Sequence, residues 1–198
     1  MTIYEMTLTF TEPLLGTVAL DPEIYQAWIA KSAPDAASLQ EEIETLGTDE
    51  VMEKGTTGFH RLDGAPILYD YVIKGFLKDA CSMLRRVPGT FSHGIRAYRK
   101  IIDGLVFVEP RRIPIVLDDR EIGFLERPLR AQTAQGERIA LARSETVPIG
   151  ASISFKLTIL GAIKEAHLRE WFDYGALRGL GQWRNAGYGR FTYEMAER

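Results

Sequence analysis

The sequence predicts an α+β fold of the ferredoxin-like kind, a split βαβ whose antiparallel sheet carries two helices on one face. Three observations predict it. Residues 3–10 and 151–160 alternate apolar and polar side chains, residues 68–86 and 162–174 repeat theirs at helical spacing, and with two shorter segments the order becomes strand, helix, strand, strand, helix, strand. At 198 residues with 45% apolar and 26% charged, the chain can bury one core. No apolar run approaches the roughly 18 residues of a membrane span. Residues 1–198 are therefore read as one domain, with an acidic helical insertion at 21–55 and a basic β-hairpin arm at 109–150.

Taken in order, residues 3–10 set Tyr4, Met6, Leu8 and Phe10 against Glu5, Thr7 and Thr9, a half-buried strand stopped by Pro13 and Gly16. Residues 22–53 are polar and acidic, with apolar positions at Ile24, Trp28, Leu39, Ile43 and Leu46. They predict two helices parted by a turn at 32–35. Residues 55–66 are turn-rich, with room for a short strand or hairpin around Phe59. The strongest helix spans 68–86, closed by Pro88 and Gly89. Its Ile73, Phe76, Leu77, Ala80 and Leu84 form one stripe, and Lys74, Lys78 and Arg85 lie within about 40° of one another on its flank. Gly75 inside this helix costs about 1 kcal/mol relative to alanine, so a close approach to the backbone is expected there. A short buried strand at 105–108 leads into the arm, which carries Arg111, Arg112, Arg127, Arg130, Arg138 and Arg143. The strand at 151–160 points Ile153, Phe155, Leu157 and Ile159 inward. A helix at 162–174, a glycine-rich loop and a strand at 188–193 complete the chain.

Charge is unevenly spread. Residues 1–73 hold 3 Lys or Arg against 13 Asp or Glu, residues 74–143 hold 14 against 8, and the remainder 7 against 6. A basic surface for a polyanion on the middle and C-terminal parts is expected. The single cysteine, Cys81, excludes an intrachain disulfide and a cysteine-based zinc cage. No secretory signal is read in MTIYEMTLTF. Together these predict a cytoplasmic protein with no membrane partner.

The segment 179–191, GLGQWRNAGYGRF, is the most informative. Gly179, Gly181, Gly187 and Gly189 permit positive φ and could bring amides close to phosphates. Arg178, Arg184 and Arg190 supply cations for phosphates, and Trp183 and Tyr188 supply rings on which bases stack. These glycines follow a helix and open a strand, unlike the dinucleotide fingerprint, and no GxxxxGK[ST] is present. No bound cofactor is expected.

At these residues the chain resembles the RAMP superfamily of CRISPR-associated RNA-binding proteins. Its GxGxxxxxGhG signature is met by Gly179, Gly181, Gly187, Tyr188 and Gly189. YVIKGFLKDA, 71–80, resembles the family's first-helix motif near GSSLKGALR, although Asp70, Tyr71 and Val72 replace the GSS. SETVPIGASISFKLTIL, 144–160, resembles the segment leading into its third strand. The acidic insertion has no counterpart. The resemblance implies an RRM-like scaffold that grips guide RNA as a backbone subunit. Lys74 and Lys78 would contact phosphates, Arg178, Arg184 and Arg190 would line the loop, and the arm with Arg127 and Arg130 would sit as a thumb. It further implies other subunits of a ribonucleoprotein, or further copies of the chain, as partners. The basic helix and the loop are expected on the same side of the sheet.

Enzymatic function has less to stand on. His60, His93 and His167 show no metal-ligand spacing, so no metal is expected, and no nucleophile, base and orienting set is present. His60, ahead of the basic helix, is the candidate general base if the protein is instead a RAMP-like, metal-independent endoribonuclease. A third reading is a subunit mimic that blocks an effector complex.

Overall fold

The computed structural model describes residues 1–20, 56–133 and 136–198, with the backbone alone for 128–141. The acidic helical insertion expected at 21–55 lies outside the described residues. The fold is α+β, with sheets and helices consistent with a ferredoxin-like architecture.

Strand β1, Thr2–Phe10, is paired on both sides, and its alternation gives it one apolar face: Tyr4, Met6, Leu8 and Phe10 are buried. On one edge β1 pairs antiparallel with β11, Ser152–Ile159, and on the other with β12, Phe191–Glu197. Next to β11 come β7, Val106–Glu109, against Lys156–Ile159, and β8, Arg112–Val116, against Ser152 and Ile153. β8 continues to β6, Ala65–Tyr69, which pairs with β5, His60–Leu62. The sheet order is thus β12-β1-β11-β8-β6-β5, with β7 beside β8 on β11, larger than the four strands expected.

Helices α1, Asp70–Leu84, and α3, Glu165–Arg178, pack against each other and seal the apolar face. The stripe predicted on α1 is buried through Ile73, Phe76, Leu77 and Ala80, and α3 contributes Leu168, Trp171 and Phe172. Burying each of the Ile, Leu and Phe side chains among them is worth about 1.5–3 kcal/mol. The Trp171 indole N–H donates to Ser92 Oγ at 2.7 Å, so its polar edge is satisfied inside the core.

Several expectations change in detail. Residues 65–69 form a strand instead of the start of the helix: Ala65–Ile67 pair with β5 and Ile67–Tyr69 with β8, which outweighs the helical spacing of Tyr69 to Ile73. Nothing lies within 4 Å of a Cβ built on Gly75, which is exposed, so the close approach expected there does not exist. It occurs at Gly175 of α3, where a Cβ would meet Phe76 at 2.4 Å and Phe191 at 2.8 Å. A short amphipathic helix that went unpredicted, α2, spans Tyr98–Leu105.

Residues 112–116 belong to the main sheet rather than to an arm. The hairpin proper is β9, Gly123–Thr133, paired with β10, Gly136–Val147. At its base β10 joins β2, Leu14–Leu15, and, in parallel, β4, Thr56–Gly58, which pairs with β3, Val18–Ala19. A half-buried ion pair locks this second sheet to β5: Arg61 reaches Glu145 Oε1 at 2.5 Å, and Glu145 Oε2 accepts the Phe59 amide at 2.9 Å.

Candidate nucleic-acid interface

The glycine-rich loop begins where α3 ends, at Gly179. Gly179, Gly181, Gly187 and Gly189 all have positive φ, between 71° and 91°. At two of them the backbone passes too close for any side chain: a Cβ on Gly179 would sit 2.2 Å from the Tyr188 carbonyl oxygen, and one on Gly189 2.0 Å from that of Leu180. The loop therefore folds back on itself. The Leu180 amide donates to Gly189 O at 2.8 Å, and the Gly189 amide donates to Pro13 O at 2.9 Å. The Gly179 and Gly187 amides likewise donate inside the protein, to Gly175 O and Arg184 O. Of the four glycines expected to offer amides to phosphates, three thus use them internally. Their role is to let two stretches of backbone touch.

A side chain that sequence reasoning missed fastens this loop to the second sheet. Gln182 Nε2 donates to Thr57 Oγ1 at 2.7 Å, to Ser144 Oγ at 2.8 Å and to Gly16 O. Beyond its place between the glycines, nothing local marks Gln182. Trp183 follows in the left-handed region at φ 53°, a conformation that costs a non-glycine residue roughly 1–2 kcal/mol. A single turn of 3₁₀ helix, Arg184–Ala186, carries the chain on to Gly187.

An open groove of about 580 Å³ forms between this loop and β9, lined by Arg127, Arg178, Gly181, Trp183, Arg184 and Asn185 among others. The Arg127 guanidinium lies 5.5 Å from the Trp183 ring centre and 6.0 Å from that of Tyr188, while the two rings meet edge to face at 6.2 Å. Such a cation over aromatic faces is worth about 0.5–1 kcal/mol at an exposed site. Arg178 donates to the Asn185 side-chain oxygen. Arg184 pairs with Asp79 of α1 at 2.7 Å, both side chains partly exposed. Among the described residues, three guanidiniums against one carboxylate leave the groove positive.

The sequence-predicted residues do not all meet at the groove. Arg127, Arg178, Gly181, Trp183 and Arg184 share the groove, with Tyr188 against its aromatic wall. Arg190 is exposed, its guanidinium carbon 3.7 Å from a Cβ position on Gly187. The side chain of Arg130 lies outside the described residues.

Lys74 and Lys78 stand elsewhere. Lys74 Nζ sits 5.5 Å from the Phe107 ring centre, and Lys78 pairs with Asp103 of α2 at 2.7 Å. The loop meets α1 at Asp79, about 100° around the helix from Lys78 and 140° from Lys74. The basic flank and the loop thus lie on opposite flanks of α1, instead of converging as expected.

His60 is 3% exposed, its ring edge-on to Tyr69 at 4.8 Å, and burial pushes its pKa down to about 4. Cys81 is fully buried, and burial raises its thiol. Among the described residues no three His, Cys, Asp or Glu side chains gather to hold a metal ion, and no helix is long and apolar enough to cross a membrane.

No family model and no curated protein matches the chain. Among solved structures, a chain of the type III-B Cmr-beta complex bound to cognate target RNA superposes with a TM-score of 0.57 at 13% identity, over 99% of this chain and 60% of that one. The present chain therefore spans 60% of that subunit's length. A chain of a type IV-B CRISPR complex gives a TM-score of 0.49 at 12% identity, over 98% and 90%. The first likeness is one of fold alone.

Proposed function

We propose that the protein is an RNA-binding subunit of a CRISPR-type ribonucleoprotein, holding a single RNA strand in the groove between the β9–β10 hairpin and the glycine-rich loop. One observation carries this reading: Arg127, Arg178 and Arg184, from three different elements, converge on one open groove walled by Trp183. Guanidiniums neutralise phosphates, and an aromatic wall lets a base stack whatever its identity. The split βαβ serves as the platform of a single domain, and the hairpin as its thumb. The likeness to a chain from an assembly bound to target RNA supports the same reading. The glycines act indirectly, by closing the loop so that its side chains face the groove. Catalysis through His60 finds no support in the geometry, because a base must come within hydrogen-bond reach of the ribose hydroxyl and this ring is enclosed.

The test is the salt dependence of binding to labelled single-stranded RNA. Three phosphate contacts predict a slope of log affinity against log salt of about −2, and hence a roughly 20-fold loss between about 50 and 200 mM salt. Arg127→Gln removes one contact, so the slope falls by about 0.7 and the loss becomes about sevenfold. Trp183→Ala weakens binding by about 1–3 kcal/mol with the slope unchanged. Binding by Arg127→Gln that matches the parent in both affinity and slope would refute the groove.

A further inference from the structure

A second concentration of positive charge lies away from the groove. Residues 80–102 contain five Lys or Arg, namely Arg85, Arg86, Arg96, Arg99 and Lys100, and no Asp or Glu. The fold brings Arg85 and Arg99 together at one corner, with Arg86 and Arg96 in the turn between the two helices and Lys100 in the first turn of α2. α1 ends at Leu84, the chain turns, and α2 starts at Tyr98 and runs back alongside, so that Arg85 faces Tyr98 as Lys78 faces Asp103. Arg85 lies 5.3 Å from the Tyr98 ring centre and Arg99 5.8 Å, and Arg99 Nε donates to the Tyr98 hydroxyl at 3.2 Å. Hydrogen bonds to Ser82 and Arg99, with the charges of Arg99 and Arg85, hold this phenol below its ordinary range. Arg86, Arg96, Arg99 and Lys100 are exposed.

None of the five pairs with a carboxylate among the described residues, whereas Arg61, Lys78, Arg120, Arg169, Arg184 and Arg198 each do. The nearby acids are engaged: Asp103 holds Lys78, and Glu170 accepts the amides of Phe91 and Ser92. Like charges gathered without a counter-charge repel one another, and a bound polyanion relieves that repulsion. Four of the five are arginines, whose planar forks match phosphate oxygens. From Asp79, which Arg184 holds, to Arg85 is about 9 Å along α1 and about 120° around it, so the corner and the groove are separate surfaces.

We infer that this corner between α1 and α2 is a second nucleic-acid contact, taking phosphates of an RNA strand outside the segment seated in the groove. The inference rests on the reading of the chain as an RNA-binding protein, and adds a surface to it.

The test is the variant R86Q/R96Q/K100Q, which leaves Arg85 and Arg99 around Tyr98. Its unfolding midpoint should match the parent's. Binding is measured with labelled oligouridine of about 8 nucleotides, enough to fill one groove, and of about 30. The expected result is a salt slope for the long RNA reduced by about 2, with affinity for the short RNA within about twofold of the parent. An unchanged slope for the long RNA overturns the corner, and leaves the groove to stand or fall by Arg127→Gln alone. A reduced slope supports the corner even if Arg127→Gln is silent. Poly-glutamate that binds the parent as tightly as the long RNA, and loses that binding in the variant, would overturn the inference in favour of an acidic protein partner.

Discussion

Replacing three glycines one at a time by alanine separates the reasons for which this chain keeps them. At Gly189, with φ 71°, the new Cβ would lie 2.0 Å from the Leu180 carbonyl oxygen and 2.9 Å from its carbon, both backbone atoms that cannot swing aside. Left-handed backbone costs a non-glycine residue about 1–2 kcal/mol. Moving the two strands of the loop apart also weakens the bonds from Leu180 N to Gly189 O and from Gly189 N to Pro13 O, each worth about 1 kcal/mol. Gly189→Ala is therefore expected to lose about 3–4 kcal/mol. Gly187 has φ 91°, but a Cβ there meets nothing closer than the Arg190 side chain at 3.7 Å, so only the backbone cost of about 1–2 kcal/mol applies. Gly75 sits in α1 with nothing within 4 Å, and alanine there stabilises by about 0.5–1 kcal/mol. Urea unfolding followed by tryptophan fluorescence measures all three, at constant m-value. Gly189→Ala no more costly than Gly187→Ala would refute the account of the loop as backbone packed on backbone. A destabilising Gly75→Ala would show that α1 carries a contact at that point after all.

Two further outcomes concern a buried imidazole and a partly buried amide. The folded-state pKa of His60, about 4 against an ordinary 6.5, lies below its unfolded value, so the unfolded chain binds more protons between them. Stability is fully present above about pH 6.5 and falls by about 3 kcal/mol as pH drops through 4, and His60→Phe should flatten that part of the profile. Equal slopes for parent and variant between pH 4 and 6.5 would refute the assignment. Gln182→Ala removes the donor shared by Thr57, Ser144 and Gly16, and should lower stability by about 1–3 kcal/mol. Because it loosens the loop from the second sheet, hydrogen exchange at the Leu180 and Gly189 amides should rise in that variant while β1 stays protected; unchanged exchange would count against the anchor.

Much of the frame was legible from local pattern. The alternation in β1 and β11 marks which side chains are buried, because successive residues of a strand point to opposite faces and only one face meets the helices. The stripe on α1 follows in the same way from its helical period. The groove was legible in part: Arg178, Trp183 and Arg184 are close in sequence, and the glycine spacing marks a tight bend. Helix α2 is not legible because eight residues are too few for a clear period, and β6 is not because Tyr69, four residues before Ile73, continues the stripe of α1.

The sequence by itself determined that residues 179, 181, 187 and 189 must be glycine-compatible, that β1 and β11 line a core, and that positive charge gathers after residue 73. Only the tertiary structure decided which cations share a surface. Arg184 finds Asp79 across 105 positions of sequence, Arg127 comes in from a hairpin to lie over Trp183, and Lys78 is drawn to Asp103 on the far flank of α1. The physical reason is one of range. Periodicity and backbone conformation are set by neighbours a few residues away, whereas an ion pair or a ring contact exists only where packing brings distant segments within a few ångströms, and no local pattern encodes that approach.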